Sequence, residues 1–225
     1  MTSEPRLPLQ AVLFDLDGTV IDSAPDLAGA ANEMRRARGL ADAPYERLRA
    51  TVGSGARGLV GEAFGVVPGD DDFIALRDEF LARYELRLSN ETRVFEHVKP
   101  LLDALDAQAV PWGIVTNKAI RYAEPVTRAL GLYDRAGVVI GGDSTPHSKP
   151  HPAPLLEAAR RLQIEPARCL YVGDDLRDVQ AGHAAGMCTV AVTWGYLGMG
   201  DPIEAWGAHH TIDSAMDILQ LLRMA

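Results

Sequence analysis

The sequence predicts an α/β fold with a parallel sheet and one inserted helical segment. Short apolar runs typical of buried strands alternate with amphipathic helical patterns, and this alternation indicates βαβ units around a parallel sheet. One stretch, from Ser23 to about Arg93, departs from the alternation because it holds several amphipathic segments and no convincing strand. We therefore expect residues 1–22 and 94–225 to form an α/β core, and residues 23–93 to form a helical insertion.

Six apolar runs predict the strands of the sheet. In chain order they extend over Gln10 to Phe14, Pro111 to Thr116, Gly137 to Ile140, Cys169 to Val172, Cys188 to Val192 and His210 to Ile212. Within the insertion, a first helix is expected between Pro25 and Gly39, because proline is favoured in the first turn and glycine just past the end. Apolar residues at helical spacing, Phe73, Leu76, Phe80, Tyr84 and Leu88, predict a later helix. Between these helices, Gly53 to Arg57 predicts a flexible turn that carries one strong cation.

The composition narrows the classes of partner. The 225 residues are 47% hydrophobic, which is enough for a sizeable core, and the formal net charge is −9. Nucleic acids and anionic membranes are bound chiefly through Lys and Arg, so neither is expected as a partner. Cys169 and Cys188 lie in apolar runs without metal-ligand spacing, which indicates a reducing cytoplasm. The first ten residues lack an apolar signal core, so we expect a soluble, unprocessed protein.

Two carboxylates follow the first predicted strand. Asp15 and Asp17 are two residues apart, and because side chains alternate along an extended backbone, both face the same side. Like charges in one small volume favour a bound cation, and hard oxygen ligands suit magnesium. Gly18 permits a sharp turn, and Thr19 adds a hydroxyl donor. An isolated Asp-x-Asp is an ordinary strand exit, but the hexapeptide Phe14 to Thr19 after an apolar strand indicates chemistry.

Two later motifs also follow predicted strands, on the side where open α/β sheets bind ligands. Thr116, Asn117 and Lys118 offer a hydroxyl and successive backbone N–H groups, which can cradle an anion or simply cap a helix. Lys149 lies between the turn residues of the segment Ser148 to Pro152, which would hold its ammonium near one point. Taken singly, such a lysine would be an ordinary solvated side chain.

A second group of carboxylates follows the fourth predicted strand. Asp174 ends the apolar run, and a carboxylate there could join the first pair around a metal ion. Asp175 and Asp178 have a second interpretation as acids of a first helical turn, which the helix dipole favours.

Together the four motifs, in this order, resemble the haloacid dehalogenase-like phosphohydrolase superfamily. The segments FDLDGTVIDSAPDL, VTNK, SKPHP and VGDDLRD are similar to its phosphoglycolate phosphatase branch, and the wider run is also similar to bacterial N-acetylmuramic acid 6-phosphate phosphatases. The resemblance covers almost the entire chain. It implies a Rossmann-like, doubly wound core, with residues 23–93 as a cap that closes over the active site. Asp175 departs from the pattern, because relatives often carry Ser there, and this leaves open whether Asp174 alone or both contact the metal.

The resemblance also implies an Mg²⁺-dependent phosphatase, monomeric or homodimeric, that acts on a small phosphorylated metabolite. Its substrate would most readily be 2-phosphoglycolate, with N-acetylmuramic acid 6-phosphate as the alternative. Asp15 would attack phosphorus to form an aspartyl-phosphate, while Asp17 would protonate the leaving alkoxide and then activate water. These two carboxylates need different proton affinities, which their environments can supply.

The resemblance assigns the remaining residues to the metal and the substrate. The metal would be held by Asp15, the backbone carbonyl of Asp17 and Asp174. Asp175 and Asp178 would lie beyond these direct ligands, and Asp178 would orient a water molecule on the metal. Thr116 and Lys149 would hold the phosphoryl oxygens as catalytic groups. Candidates for substrate binding are Gly18, Thr19, Arg57, Asn117 and Lys118. Among these, Arg57 is the first candidate for binding the leaving group, because a guanidinium can bind a carboxylate through two hydrogen bonds. The alternative role for Arg57 is an ion pair with an acidic residue on the cap surface.

Other activities share parts of this pattern. A dehalogenase has no use for an acid at the position of Asp17, and a phosphate-transferring ATPase of the superfamily would carry Thr there and need membrane helices. A β-phosphoglucomutase-like isomerase shares all four motifs and stays open. A non-catalytic phosphometabolite-binding module is disfavoured, because the nucleophile, the acid, the lysine and the metal carboxylate are all present.

Overall fold

Six parallel strands form the central sheet. The computed structural model describes residues 8–197 and 200–224. Its strands are β1 (Ala11–Phe14), β2 (Ile21–Asp22), β3 (Arg93–Val94), β4 (Trp112–Val115), β5 (Val138–Ile140), β6 (Cys169–Gly173), β7 (Cys188–Val192) and β8 (His210–Ile212). The main sheet has the order β5-β4-β1-β6-β7-β8 with every pair parallel. The six predicted strands and the α/β class are therefore confirmed.

Helices cover both faces of this sheet. They are α1 (Ala24–Ala37), α2 (Tyr45–Ala50), α3 (Gly55–Phe64), α4 (Phe73–Glu85), α5 (Lys99–Ala107), α6 (Ile120–Ala129), α7 (Ala153–Leu162), α8 (Leu176–Ala184) and α9 (Asp217–Met224). One face packs with α5, α6 and α9, and the other with α7 and α8. Strand β1 is apolar throughout because its side chains are buried on both faces of the sheet. Val12 and Phe14 belong to the apolar cluster on one face, and Ala11 and Leu13 belong to the cluster on the other, as expected for a parallel sheet.

The inserted segment has its own apolar cluster, built by α1 to α4. It joins the α/β part through an antiparallel pair that the sequence did not reveal, in which Ile21 faces Val94 and Asp22 faces Arg93. The prediction of no strand before Arg93 is thus wrong at the end of the stretch. Strands of two residues are too short to show the alternation on which strand prediction depends.

A buried carboxylate ties the two ends of the insertion together. Asp26, in the first turn of α1, accepts hydrogen bonds from the backbone N–H of Glu91 (2.9 Å) and from the N–H and hydroxyl of Thr92 (2.8 and 2.7 Å). The Arg87 guanidinium lies 3.3 Å from its other oxygen. The start of the first helix is therefore fastened to the chain that returns toward the sheet.

The segment Gly53 to Arg57 is not the flexible turn that its glycines predict. A 3₁₀ turn over Val52–Ser54 leads directly into α3, so Arg57 lies in the first turn of a helix. Leu59 and Val60 of that helix pack into the apolar cluster of the insertion. This packing outweighs the low helix propensity of glycine.

None of the helices within residues 8–197 and 200–224 combines the length and the apolarity needed to cross a bilayer. The expectation about a signal segment falls largely on residues 1–7, outside the described residues.

Candidate active site at the strand ends

Three adjacent strands bring the predicted motifs to one edge of the sheet. Strand β1 lies between β4 and β6, and Phe14 is level with Ile114 on one side and Val172 on the other. The next residues along these strands lead to Asp15, Thr116 and Asp174. Asp15 therefore meets residues 101 and 159 positions further along the chain, because parallel strands end at a common edge.

Three carboxylates form a cluster at this edge. Asp15, Asp174 and Asp178 each offer an oxygen, and these oxygens lie within 4.8 Å of one another. Burial and the nearby charges of Asp15 and Asp178 raise the pKa of Asp174 well above its ordinary value. Burial also raises the pKa of Asp178 to about 7, against the opposing effect of Lys149. A cluster of hard oxygen donors with excess negative charge fits a divalent cation.

Lys149 is the cation inside this cluster. Its ammonium lies 2.8 Å from Asp15 Oδ1 and 2.7 Å from Asp178 Oδ1, and it donates to the Tyr171 hydroxyl (2.9 Å) and the Val115 carbonyl (3.1 Å). Burial alone would lower the pKa of Lys149, but the two carboxylates outweigh it and the pKa ends above its ordinary value. Lys149 therefore stays charged beside Asp15.

Asn117 positions the backbone of that lysine. Its side-chain amide donates to the Lys149 carbonyl (3.0 Å) and accepts from the Lys149 N–H (3.0 Å). The side chain predicted to bind substrate is thus engaged with the neighbouring loop. Thr116 Oγ1 accepts from the Lys118 N–H (3.2 Å), and Thr116 lines the cavity beside Asp15.

Asp174 is held from two sides. Thr19 Oγ1 donates to one carboxylate oxygen (2.8 Å) and the Tyr196 N–H donates to the other (2.8 Å). Gly18 has φ +86°, and a Cβ at this position would overlap the Asp174 carboxylate, so only glycine fits there without displacement. Gly18 and Thr19, both predicted to contact substrate, shape and orient Asp174 in this structure.

Asp17 faces a different set of partners. Ser23 Oγ donates to its Oδ1 (2.5 Å), and the Lys118 ammonium lies 3.0 Å from the same oxygen. Lys118 also donates to the hydroxyl of Tyr84 on α4 (2.7 Å). Burial opposes the charge of Lys118, but Asp17 and Tyr84 outweigh it and raise its pKa above the ordinary value. Lys118 thus connects the second carboxylate of the Asp-x-Asp motif to the insertion.

Asp175 lies outside the acid cluster. Its side chain caps α8 by accepting from the Arg177 N–H (2.9 Å) and also pairs with the Arg177 guanidinium at 2.7 Å. Although burial acts in the opposite direction, this guanidinium lowers the pKa of Asp175. Arg177 also donates to the carbonyl of Gly53 in the insertion. In this structure the Asp175 carboxylate pairs with Arg177, while Asp174 belongs to the acid cluster.

These groups open onto a cavity of about 390 Å³ between the sheet edge and the insertion. The sheet side carries the carboxylates, Thr116 and four cationic side chains, Lys118, Arg121, Lys149 and Arg177. The insertion contributes a mostly apolar wall of Leu27, Val52, Phe80, Leu81 and Tyr84. Arg57 is exposed and does not line this cavity, so the structure does not bring the predicted reader of the leaving group to the site.

Several residues that support the site could not be identified from the sequence. Tyr171 lies in the apolar run of β6, where it cannot be told from a core aromatic residue, and Ser23 looks like an ordinary helix cap. Tyr196 follows strand β7 and no sequence motif marks it, yet its hydroxyl accepts from the Ser23 N–H (2.9 Å) and donates to Asp22 (2.9 Å). Arg121 follows the Thr-Asn-Lys motif without any local signal of its own.

Comparisons of the sequence and of the structure with known proteins both find hydrolases. Residues 9–186 match the family described as hydrolase, haloacid dehalogenase-like hydrolase. An N-acetylmuramic acid 6-phosphate phosphatase of Pseudomonas aeruginosa is 40% identical over 220 residues, which cover 98% of this chain and 97% of the relative. A phosphoglycolate phosphatase of Xanthomonas campestris is 45% identical over 204 residues, covering 90% and 91%.

A solved structure shares the whole architecture. The crystal structure of a predicted phosphoglycolate phosphatase from Haemophilus somnus superimposes with a TM-score of 0.82 at 32% identity, and the match covers 95% of this chain and 97% of that one. The parallel sheet and the helical insertion are therefore both common to the two proteins.

Proposed function

Because the chain belongs to the haloacid dehalogenase-like hydrolase family and is a phosphoric monoester hydrolase, we propose that Asp15 is its nucleophile and Asp17 its general acid and base. The Asp15 carboxylate attacks phosphorus and the ester P–O bond breaks, while Asp17 gives a proton to the leaving alkoxide. Asp17 then takes a proton from a water that attacks the aspartyl-phosphate, which releases inorganic phosphate and restores Asp15.

The support for these roles is the separation of the two carboxylates. Asp15 contacts Lys149, and Asp17 contacts Ser23 and Lys118 instead, so each has its own charge environment. Lys149 and Thr116 would hold the phosphoryl oxygens, where fixed donors stabilise the charge that develops in the transition state.

The acid cluster also supports a magnesium site. Asp15, Asp174 and the backbone carbonyl of Asp17 would hold Mg²⁺, with Asp178 beside them. When bound, Mg²⁺ would neutralise charge on the phosphoryl oxygens. In a thermal shift assay we expect Mg²⁺ to raise the Tm of the wild-type protein and to leave that of Asp174→Asn unchanged; an equal rise in both would exclude this site.

We further propose that residues 23–93 act as the cap of a core formed by residues 1–22 and 94–225. Support comes from the apolar cluster of α1 to α4, to which the core adds Tyr122 and Tyr196, and from the strand pair β2–β3, which brings the two ends of the insertion together. In this arrangement the cap supplies the apolar wall of the cavity, and it would exclude water while the phosphoryl group is transferred.

The substrate that the cavity favours is a phosphate ester with a large leaving group that carries a carboxylate. The observation that supports this substrate is the size and lining of the cavity. Its volume of about 390 Å³ lies in the range of about 300–1,000 Å³ typical of pockets that hold drug-sized ligands, and its cap side is mostly apolar. N-acetylmuramic acid 6-phosphate, with its sugar ring and acetyl group, would fill this space. 2-Phosphoglycolate, which the sequence indicates first, leaves the apolar wall without a partner but remains the second candidate, because a relative at 45% identity bears its name.

Steady-state kinetics test both the choice of substrate and the role of Asp15 as nucleophile. We expect the purified protein with Mg²⁺ to release phosphate from N-acetylmuramic acid 6-phosphate with a higher kcat/KM than from 2-phosphoglycolate or a panel of sugar phosphates. Asp15→Asn should abolish release, while Asp134→Asn, at a fully solvated surface position, should not. A higher kcat/KM for 2-phosphoglycolate would reverse the choice of substrate, and phosphate release by Asp15→Asn would refute the nucleophile.

A further inference from the structure

Arg121 is a cation of the cavity whose charge has no carboxylate partner in the described part of the chain. Lys118, Lys149 and Arg177 line the same cavity, and each forms an ion pair with an aspartate. Arg121 forms none with any acidic side chain of residues 8–197 and 200–224. In a protein with net charge −9, a cation that faces a binding cavity without an anionic partner is available to an anionic ligand.

Arg121 is an exposed residue whose guanidinium lies over an aromatic ring. Its central carbon lies 4.5 Å from the centre of the Tyr122 ring, and Tyr122 is buried against Tyr84, with 5.9 Å between the ring centres. Stacking on an aromatic ring orients a guanidinium and leaves its in-plane N–H groups available for hydrogen bonds. These N–H groups match the two oxygens of a carboxylate.

The position of Arg121 determines which part of the substrate it can reach. The phosphoryl end belongs at Asp15 and Lys149, so a cavity-lining group with no bond to that cluster meets the leaving group. Arg177 is a weaker candidate, because its guanidinium is already engaged by Asp175 and by the carbonyl of Gly53. Arg57, the candidate from the sequence, lies outside the cavity lining.

We propose that Arg121 binds the carboxylate of the leaving group and thereby makes the enzyme selective for phosphate esters of hydroxy acids. This inference rests on the proposed phosphatase function. It adds the residue that distinguishes an acidic leaving group from a neutral one of the same size.

Matched substrate pairs test the inference. N-acetylmuramic acid 6-phosphate is compared with N-acetylglucosamine 6-phosphate, and 2-phosphoglycolate with 2-hydroxyethyl phosphate, since the second member of each pair lacks the carboxylate. Arg121→Gln should lower kcat/KM for the acids by about 10- to 100-fold, the scale of losing a hydrogen bond to a charged group, and should leave the neutral esters nearly unchanged. Arg121→Lys should fall between, because it keeps the charge but not the paired donors.

Two further arginine variants make the result specific. Arg128→Gln, on the same helix but outside the cavity lining, is the matched control and should behave as wild type. Arg57→Gln tests the rival assignment, and loss of acid selectivity in that variant with Arg121→Gln unaffected would overturn the proposal.

The same data separate failure of this inference from failure of the proposed function. Equal kcat/KM for both members of each pair in wild type, or an equal drop for both in Arg121→Gln, would overturn the role of Arg121 and leave the phosphatase standing. If wild type released no phosphate from any of the four esters, both proposals would fall.

Discussion

The substitution Lys149→Met removes the ammonium that joins Asp15 to Asp178. The side chain is almost completely buried, with 4% of its surface exposed, and it makes four polar contacts between 2.7 and 3.1 Å. Methionine has a similar length and can occupy the same channel, so the change removes the charge and the donors with little change in packing.

The magnitude of the effect follows from these contacts. Removal of one preorganised donor from a transition state typically lowers kcat by about 10²- to 10³-fold, or about 2.7–4 kcal/mol. Breaking a buried ion pair also costs about 3–5 kcal/mol of stability. We expect the lower end of that range, because burial raises the pKa of Asp178 to about 7, so this carboxyl can take up a proton when Lys149 is absent.

The assay combines phosphate release under saturating substrate with urea unfolding followed by tryptophan fluorescence and circular dichroism. Lys99→Met is the matched control, since Lys99 is half exposed and forms a surface ion pair with Glu96. That variant should keep wild-type turnover and change the unfolding free energy by about 0.5 kcal/mol or less. Near wild-type turnover by a folded Lys149→Met protein would refute the catalytic role of the lysine.

Three other predictions concern stability and reactivity. Asp26→Ala should lower the unfolding free energy by about 3–5 kcal/mol, because it leaves the buried N–H and hydroxyl of Thr92 without their acceptor; a loss below about 1 kcal/mol in urea unfolding would contradict this. Glu79→Gln should cost about 0.2–1 kcal/mol at pH 7. The hydrogen bond from Arg38 lowers the folded-state pKa of Glu79, so this stabilisation is present above the unfolded-state pKa and is lost as the pH falls through the folded one. The difference between variant and wild type should therefore shrink as the pH falls below the ordinary pKa of glutamate, and a constant difference in Tm would exclude the ion pair as its cause. Burial raises the pKa of the Cys169 thiol to about 11, so iodoacetamide at pH 8 should modify Cys169 only after unfolding; mass spectrometry that finds it modified in the native protein would show that the site opens.

The strands and the acidic motifs were predictable because their signals are local. Apolar runs of four to five residues mark β1 and β6, and each ends in carboxylates that an ordinary core strand does not carry. The two-residue strands β2 and β3 left no such signal, because pairing between distant segments is their only source of order.

The sequence did not reveal which groups form hydrogen bonds and ion pairs with one another. Asn117 looks like a ligand-binding residue but holds the backbone of Lys149, 32 positions away. Arg57 looks available for a carboxylate, whereas the arginines that line the cavity among the described residues are Arg121 and Arg177. Tyr196 orients Asp174 through a backbone N–H, which any residue type except proline could have supplied.

The amino-acid sequence alone determined the parallel α/β sheet and the set of carboxylates, hydroxyls and lysines at its edge. Apolar periodicity is local, and parallel strands necessarily end on the same side, so motifs after strands must meet. The tertiary structure decided which charges pair and which cation faces the cavity without a carboxylate partner in the described chain. Ion pairs and hydrogen bonds depend on distances of a few ångströms between residues far apart in the chain, and only packing sets those distances.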